Sequence, residues 1–523
     1  MGLLKVKGSV WDSHDNGLAV NVKDFGAKGD GVTDDTAAIQ DAIDYAESQT
    51  LGGTVHFPVG RYNITSELTI HRGNIHLSGD GYRSSEISIY HDTGYGILVE
   101  DETDPGVTTV QNFGMSNIAV RARVDTTANA AVHLNKCNNV ILDNVRFADH
   151  FAGLLLSGGL IHEYTNLVIV SARGSLWSGV KTGSYFLKLQ EDTGGDQPTA
   201  ISISNFNFRR TETFDYVQHG IYVSASDGLW LSNGHIMGVD SAELFVSPQG
   251  GTAQLTGIRI SNVWFDNNAD YGVYVTGNST ALFGTIELMG VRSLSPRANF
   301  IRVTSAATAF DGIVLSGGVS FKSFNESIKL EGGTKHIVSN FHFVASNTED
   351  SIERGAVSVT SGVEQLVVNA CMFSYSDVGY TIQNMRGVLI SSIGQSVIVS
   401  NCAFDLYSTA EDIVDLSTPG YNSFTGNITT KTDPTTSVSG TSLVIPVIGE
   451  MFRVENGLNF NNMVGRWDGR RVTLVFKGVS TLTHDSAFKL DGSTNFTSAA
   501  GDVLTLAYNK ADSAWHEVSR KVA

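Results

Sequence analysis

The chain has 523 residues, with 35 Lys and Arg against 53 Asp and Glu, a formal net charge of −18, and 41% hydrophobic residues. That apolar content excludes disorder and the length allows more than one domain, while the acidity argues against a nucleic-acid partner, because phosphate binding needs a concentrated basic surface. Gly (55) far outnumbers Pro (8), as in chains rich in strands and turns; the start MGLLKVKGSVWDS shows no basic-then-apolar leader, and no run approaches the ~18 to 20 apolar residues of a membrane span.

Residues 1–19 read as a lead or neck segment, and 20–60 as a strand, helix and strand. Val20, Val22 and Phe25 open the first strand. Thr33 is the candidate N-cap, Asp34 and Asp35 put negative charge on the helix N-terminus, and Ala38, Ile39, Ala42, Ile43 and Ala46 form one apolar stripe. Gly52 and Gly53 then lead into a second strand. Such a helix has one greasy face to bury, and the open end of a strand array is where it is needed.

The segment 61–424 carries that array. After YNITSELTI, GNIHLSGDG, SEISIY and GILVE, a mark recurs at Asn117, Asn144, Asn166, Asn205, Asn233, Asn262, Gly290, Gly318, Asn340, Ala370 and Asn401. Between Asn205 and Gly318 the spacings are 28, 29, 28 and 28 residues, with three short alternating strands per period. That predicts an all-β fold, a single-chain parallel β-helix of three sheets with like positions stacked ~4.8 Å apart. The array ends near Asp405, a Thr/Ser-rich linker spans 425–442, and 443–523 alternates as a small sandwich-like β domain. Cys137, Cys371 and Cys402 sit inside strand-like runs and read as core residues.

The residues DFGAKGDGVTDDTAAIQDAI followed by GGTVHFPVGRYNI resemble the opening of the pectate-lyase-like superfamily of right-handed parallel β-helices, in the branch of phage tailspikes and capsular depolymerases. The resemblance implies a glycan-cleaving homotrimer in the virion, attached to the phage tail or baseplate through an upstream region, made in the host cytoplasm and acting on bacterial capsule or lipopolysaccharide. It transfers no catalytic role residue by residue.

Strand alternation supplies the candidate site. If Leu244 and Val246 point inward, one outward column reads Tyr222, Phe245, Tyr274 and Arg302, and the column beside it Gly220, Glu243, Gly272 and Phe300, a carboxylate between glycines that leave room for a sugar. Another column carries Asn207, His235, Trp264 and Arg292. Carboxylates gather in the same turns: Glu212 and Asp215, Asp240 and Glu243, Asp266 and Asp270. Glycoside hydrolysis needs a protonated acid and an ionised carboxylate, so Glu243 with Asp270 or Asp266, helped by Asp240, is the expected pair. A lyase would need a base and a cation instead, for which His219, Tyr274, Arg297 and Arg302 stand available. The loop Glu349, Asp350, Glu353 and Arg354 reads as a solvated turn. Metal-ligand spacing, a P-loop and a nucleophile elbow are all missing from the sequence, so no cofactor is expected. The leading expectation is a hydrolytic depolymerase, with a lyase or a non-catalytic glycan adhesin as alternatives.

Overall fold

The computed structural model describes residues 18–101, 109–125, 130–171, 179–210, 215–248, 254–266, 269–277, 282–294, 296–307, 309–321, 326–345, 354–360, 362–375, 385–391, 396–405, 413–415, 423–429, 437–439, 441–445, 450–455, 457–466 and 468–522. The chain divides into two compact units, Met1–Arg259 and Ile260–Ala523.

The first unit opens as the sequence predicts, with two corrections. The first strand is Leu18–Asn21, and Val22 and Phe25 belong to a short 3-10 helix, Val22–Phe25, that follows it. Helix α1 spans Thr36–Glu47 and buries Ile39, Ala42, Ile43 and Ala46. Its N-cap is Asp35, not Thr33. Thr33 instead donates to Asp30, while Asp34 accepts from the Thr36 backbone at 3.0 Å. Asp35 is drawn away from the helix because its carboxylate accepts the Lys28 and Gly29 amides, at 2.6 and 3.1 Å. The helix closes an edge that would otherwise present unsatisfied backbone groups. The Gln40 amide both donates to and accepts from the Thr69 backbone, at 2.9 and 3.0 Å, and the Glu47 carboxylate accepts the His71 and Arg72 amides. These are the backbone groups of the first strand of one long sheet, Leu68–Ile70, and its exit.

Beyond the cap, strands repeat as parallel ladders. On one sheet of the first unit, Ile97–Val99, Ala130–Asn135, Ala152–Ser157, Gly179–Gln190, Asp215–Val223 and Val239–Val246 follow in order. The remaining strands form the other long sheet, bent at the repeating mark. Asn117, Asn144, Asn166, Asn205 and Asn233 all have φ between 52° and 55°. Asn tolerates this left-handed geometry better than most side chains, which turns one strand into the next once per coil. Stacked coils bring the amides together: the Asn144 side chain donates to that of Asn117 at 2.7 Å.

The second unit repeats the device at Asn262, Gly290, Asn340, Ala370 and Asn401. At one coil the mark shifts by a residue. Gly317 has φ +68°, and the pairing of Met289 with Ser316 and Val291 with Gly318 places Gly317, not Gly318, opposite Gly290. The core of this unit contains a stack of Phe343, Phe373 and Phe404, with centroids 4.9 and 4.7 Å apart and planes within 12°. The parallel ladder runs past Asp405, through Ile413–Asp415 and Ser423–Thr425, to the pairing of Phe404 with Thr429. Residues from Leu443 onward pack about a separate core that includes Phe452, Leu474, Leu504 and Trp515, whose indole donates to the Met463 carbonyl at 3.2 Å. All three cysteines are buried thiols. Among the described residues no helix is long and apolar enough to cross a membrane.

Candidate functional site

On the outer face of the first unit's Leu68-to-Val246 sheet, one column holds His133, Leu155, Lys188, Tyr222 and Phe245 in register on successive strands. A parallel column holds Ala130, Ala152, Tyr185, His219 and Ala242. The predicted neighbours Tyr222 and Phe245 are therefore adjacent, their ring centroids 4.9 Å apart. His219 lies flat on Phe245 at 4.3 Å and 7°.

Between these outward columns two successive residues face inward rather than one. Gly220 and Ile221, and likewise Glu243 and Leu244, face the core: Glu243 is only 3% exposed. This corrects the expected sugar-facing column of Gly220, Glu243, Gly272 and Phe300. A Cβ on Gly220 would stand 2.6 Å from the buried Ile236 side chain, and one on Gly272 would meet the Phe300 ring at 2.7 Å, with Phe300 fully buried. The glycines are there because the core closes on them. Strict alternation misplaced Glu243 because the strands of this sheet take one step with two inward residues here, so that the outward pairs Ala130 and His133, Ala152 and Leu155, Tyr185 and Lys188, and His219 and Tyr222 each lie three residues apart.

The remaining predicted residues fall in both units. Asp240 is half-buried in the first unit, with its charge acting on His219. His235 stands in register with Asn207. In the second unit, Asp266 and Asp270 are half-buried and Asp270 pairs with Arg297 at 3.1 Å. Tyr274 is in register with Arg302, and the Arg292 guanidinium lies 4.9 Å from the Trp264 ring. Glu212 and the residues Glu349, Asp350 and Glu353 lie outside the described residues.

The electrostatics of the first-unit face come from burial. It pushes the His219 imidazole down to about 4, against a weaker upward pull from Asp240, and pushes His133 down to about 4 as well. Both rings are therefore neutral at pH 7. His133 meets the Ser157 hydroxyl at 2.9 Å, but its Nδ1 and that of His219 are buried without a hydrogen-bond partner among the described residues. The Lys188 ammonium lies 5.0 Å from the Tyr222 ring centroid and 5.8 Å from that of Tyr185, and burial lowers its pKa. The face thus combines flat aromatic surface, a partly desolvated cation and neutral imidazoles, a set suited to stacking and orienting a sugar. Lys188, Tyr185 and His133 escaped the sequence reading. Carrying the Tyr222 position back one coil at a time, into SYFLKLQ and AVHLN, would have found Lys188 and His133. Among the described residues no cluster of His, Cys, Asp and Glu stands ready to hold a metal ion.

This sheet architecture agrees with known proteins. Residues 19–239 match the family model for Rhamnogalacturonase A/epimerase, pectate lyase-like. Mannuronan C5-epimerase AlgE2 of Azotobacter vinelandii is 40% identical over 115 residues, which is 21% of this chain and 11% of that protein. Plasmin and fibronectin-binding protein A of Streptococcus pneumoniae is 31% identical over 154 residues, 26% of this chain and 21% of that one. The chain thus spans a small share of the length of these relatives. Among solved structures, the A-module of mannuronan C-5 epimerase AlgE6 from Azotobacter vinelandii aligns with a TM-score of 0.53 at 18% identity, covering 79% of this chain and all of that one. The tailspike of E. coli bacteriophage HK620 aligns with a TM-score of 0.53 at 13% identity, covering 80% and 79%. At such identities the structural likeness speaks for fold. Together these matches support the pectate-lyase-like right-handed β-helix superfamily, whose matched members include proteins named for action on polysaccharides.

Proposed function

We propose that the protein is a tailspike-type depolymerase that binds and hydrolyses a bacterial surface polysaccharide, capsule or lipopolysaccharide O-antigen, and that it works as a homotrimer on a phage tail. The observation that carries the reading is the first-unit face, where Lys188, Tyr222 and Phe245 stand in one register column with His219 stacked beside them. Asp240, half-buried on the strand Val239–Val246 with its charge acting on His219, offers this face one of the two carboxyl groups that hydrolysis requires, while Glu243 faces the core and is left out of the pair. The named relatives that act on mannuronan, and the tailspike fold, support a glycan substrate.

Elimination is the second reading, favoured by the neutral His219, which can accept a proton next to a sugar carboxylate while Lys188 offsets its charge. Digestion of purified capsule and lipopolysaccharide, followed by mass analysis, separates the two. Hydrolysis yields fragments with new reducing ends and no short-ultraviolet absorbance; unsaturated fragments would replace it with elimination. Intact glycan from every host tested would leave an adhesin. Light scattering should give three times the chain mass, and an active monomer would sink the trimer.

A further inference from the structure

The other long sheet of the first unit bears a groove of about 540 Å³ on its outer face, lined by Tyr82, Arg83, Arg121, Arg146, Asn207 and Arg209. Glu86 is the one carboxylate among its described lining residues. Arg146, Val168 and Asn207 occupy one column on successive strands, and Arg121, Ala148, Val170 and Arg209 the next. At ~4.8 Å per strand, Arg121 and Arg209 mark out roughly 14 Å of groove.

A net charge of −18 makes four guanidiniums on one face a local reversal. The fold accounts for some of the charge here. Arg121 bonds the buried Asp149 carboxylate at 2.7 Å, and the neighbouring Arg123 bonds Glu86. It does not account for the rest. Arg146 has a buried Nε, and Asn207 a buried Oδ1, without a hydrogen-bond partner among the described residues. Arg83 meets the Tyr82 ring at 5.8 Å, and Arg209 is exposed. Burial lowers the Arg146 pKa, and the Arg121 charge lowers it further. Like charges held close in a partly desolvated groove repel, and an anion bridging them relieves that repulsion. A carboxylate suits the task, because the guanidinium fork binds it through two parallel hydrogen bonds, while the Tyr82 ring offers a face to a sugar.

We propose that this groove is a second glycan site, which holds the carboxylates of an acidic polysaccharide, a uronate chain, through Arg83, Arg146 and Arg209. It takes from the proposed function only that the ligand is a polysaccharide, and it lies on a different sheet from the Tyr222 face. The test reads binding alone, so it stands even if no glycan is cleaved. The full chain is titrated by calorimetry with polygalacturonate, with neutral dextran and with duplex DNA, at low and at physiological salt. Polygalacturonate should bind at least tenfold more tightly than dextran, and less tightly as salt rises. Arg146→Gln with Arg209→Gln should lose at least tenfold in affinity for polygalacturonate, since each removes charge-assisted hydrogen bonds to the ligand carboxylates. Val168→Glu, which sets a carboxylate among the arginines, should do the same without removing any of them. Melting temperatures close to that of the parent protein confirm that the variants fold. Equal binding of dextran, unchanged affinity in both variants, or DNA binding as tight as polygalacturonate would each overturn the assignment.

Discussion

Each unit has an outward column of residues in register, and the two columns are filled differently. The first carries Lys188, Tyr222 and Phe245, and the second Tyr274, Arg302 and Lys329. The second-unit cation is answered by the fold itself. Arg302 donates to Glu331 at 3.0 Å and to the Tyr271 hydroxyl at 3.2 Å, and Lys329 reaches the same carboxylate at 3.4 Å. Burial works against the Arg302 charge, but Glu331 and Tyr271 outweigh it and hold its pKa above the ordinary value. The first-unit cation meets only aromatic rings among the described residues, and burial pulls its pKa down. A saturated ladder stabilises a sheet. In the first unit a cation and two imidazole nitrogens stay short of partners among the described residues, which is the feature that supports the proposed glycan site.

The largest effect that tests this contrast lies with the carboxyl groups. Asp240→Asn should cut turnover by about 10²- to 10⁴-fold while glycan binding persists, since acid–base groups contribute on that scale to the transition state, whereas Glu243→Gln should change turnover far less, because that side chain faces the core. Comparison of kcat with the dissociation constant from calorimetry checks it. Near-normal cleavage by Asp240→Asn would remove the catalytic assignment from the first-unit face.

Much of this contrast was legible in the sequence and part was not, for physical reasons. The coil period could be read because each turn needs a left-handed residue, and Asn at 117, 144, 166, 205, 233, 262, 340 and 401 advertises it. The α1 stripe could be read because burial follows helical spacing. The neighbours Tyr222 and Phe245 could be paired because register copies from coil to coil. Glu243 could not be placed, because the strands of this sheet take a step with two inward residues at the same point in each coil, and the sequence there looks no different from regular alternation. The N-cap was missed for a similar reason: Asp35 is captured by the Lys28 and Gly29 amides, a tertiary contact invisible to local capping preference. The arginine groove was hidden because its members, from Arg83 to Arg209, meet only through stacking.

Acid should expose the contrast next. Burial lowers His133, His162 and His219 to about 4 and His150 to about 3 in the first unit, and His336 to about 4 in the second. An unfolded imidazole binds its proton near 6.5, so between 6.5 and 4 the unfolded chain holds more protons than the folded one. Their contribution is therefore complete above pH 6.5 and is lost as pH falls toward 4, by up to roughly 3 kcal/mol per histidine. Hydrogen exchange at pH 7 and pH 4.5 should show the first unit losing protection before the second, and His219→Gln should flatten that loss. His162 serves as the internal reference. Its Nδ1 meets the Tyr164 hydroxyl at 2.6 Å and its Nε2 the Cys137 carbonyl at 3.0 Å, so both nitrogens are satisfied and its role is structural. Equal protection of both units at pH 4.5 would overturn the prediction.

The smallest effect discriminates most finely between the two ladders. Glu331→Gln removes the carboxylate shared by Arg302 and Lys329 at a partly exposed site, where ion pairs contribute about 0.2–1 kcal/mol. The melting temperature should fall by no more than a few degrees, and the difference should vanish in ~1 M salt, where the screening length shrinks to about 3 Å. Lys188→Met should behave oppositely. It removes a partly desolvated charge that meets no carboxylate among the described residues and keeps the aliphatic stem that packs on Tyr185 and Tyr222. Stability should hold steady or rise by up to about 1 kcal/mol, with no dependence on salt, while glycan affinity falls. If Lys188→Met instead costs more stability than Glu331→Gln, the first-unit lysine is serving the fold, and the distinction between a saturated ladder and a receptive one fails at its most exposed point.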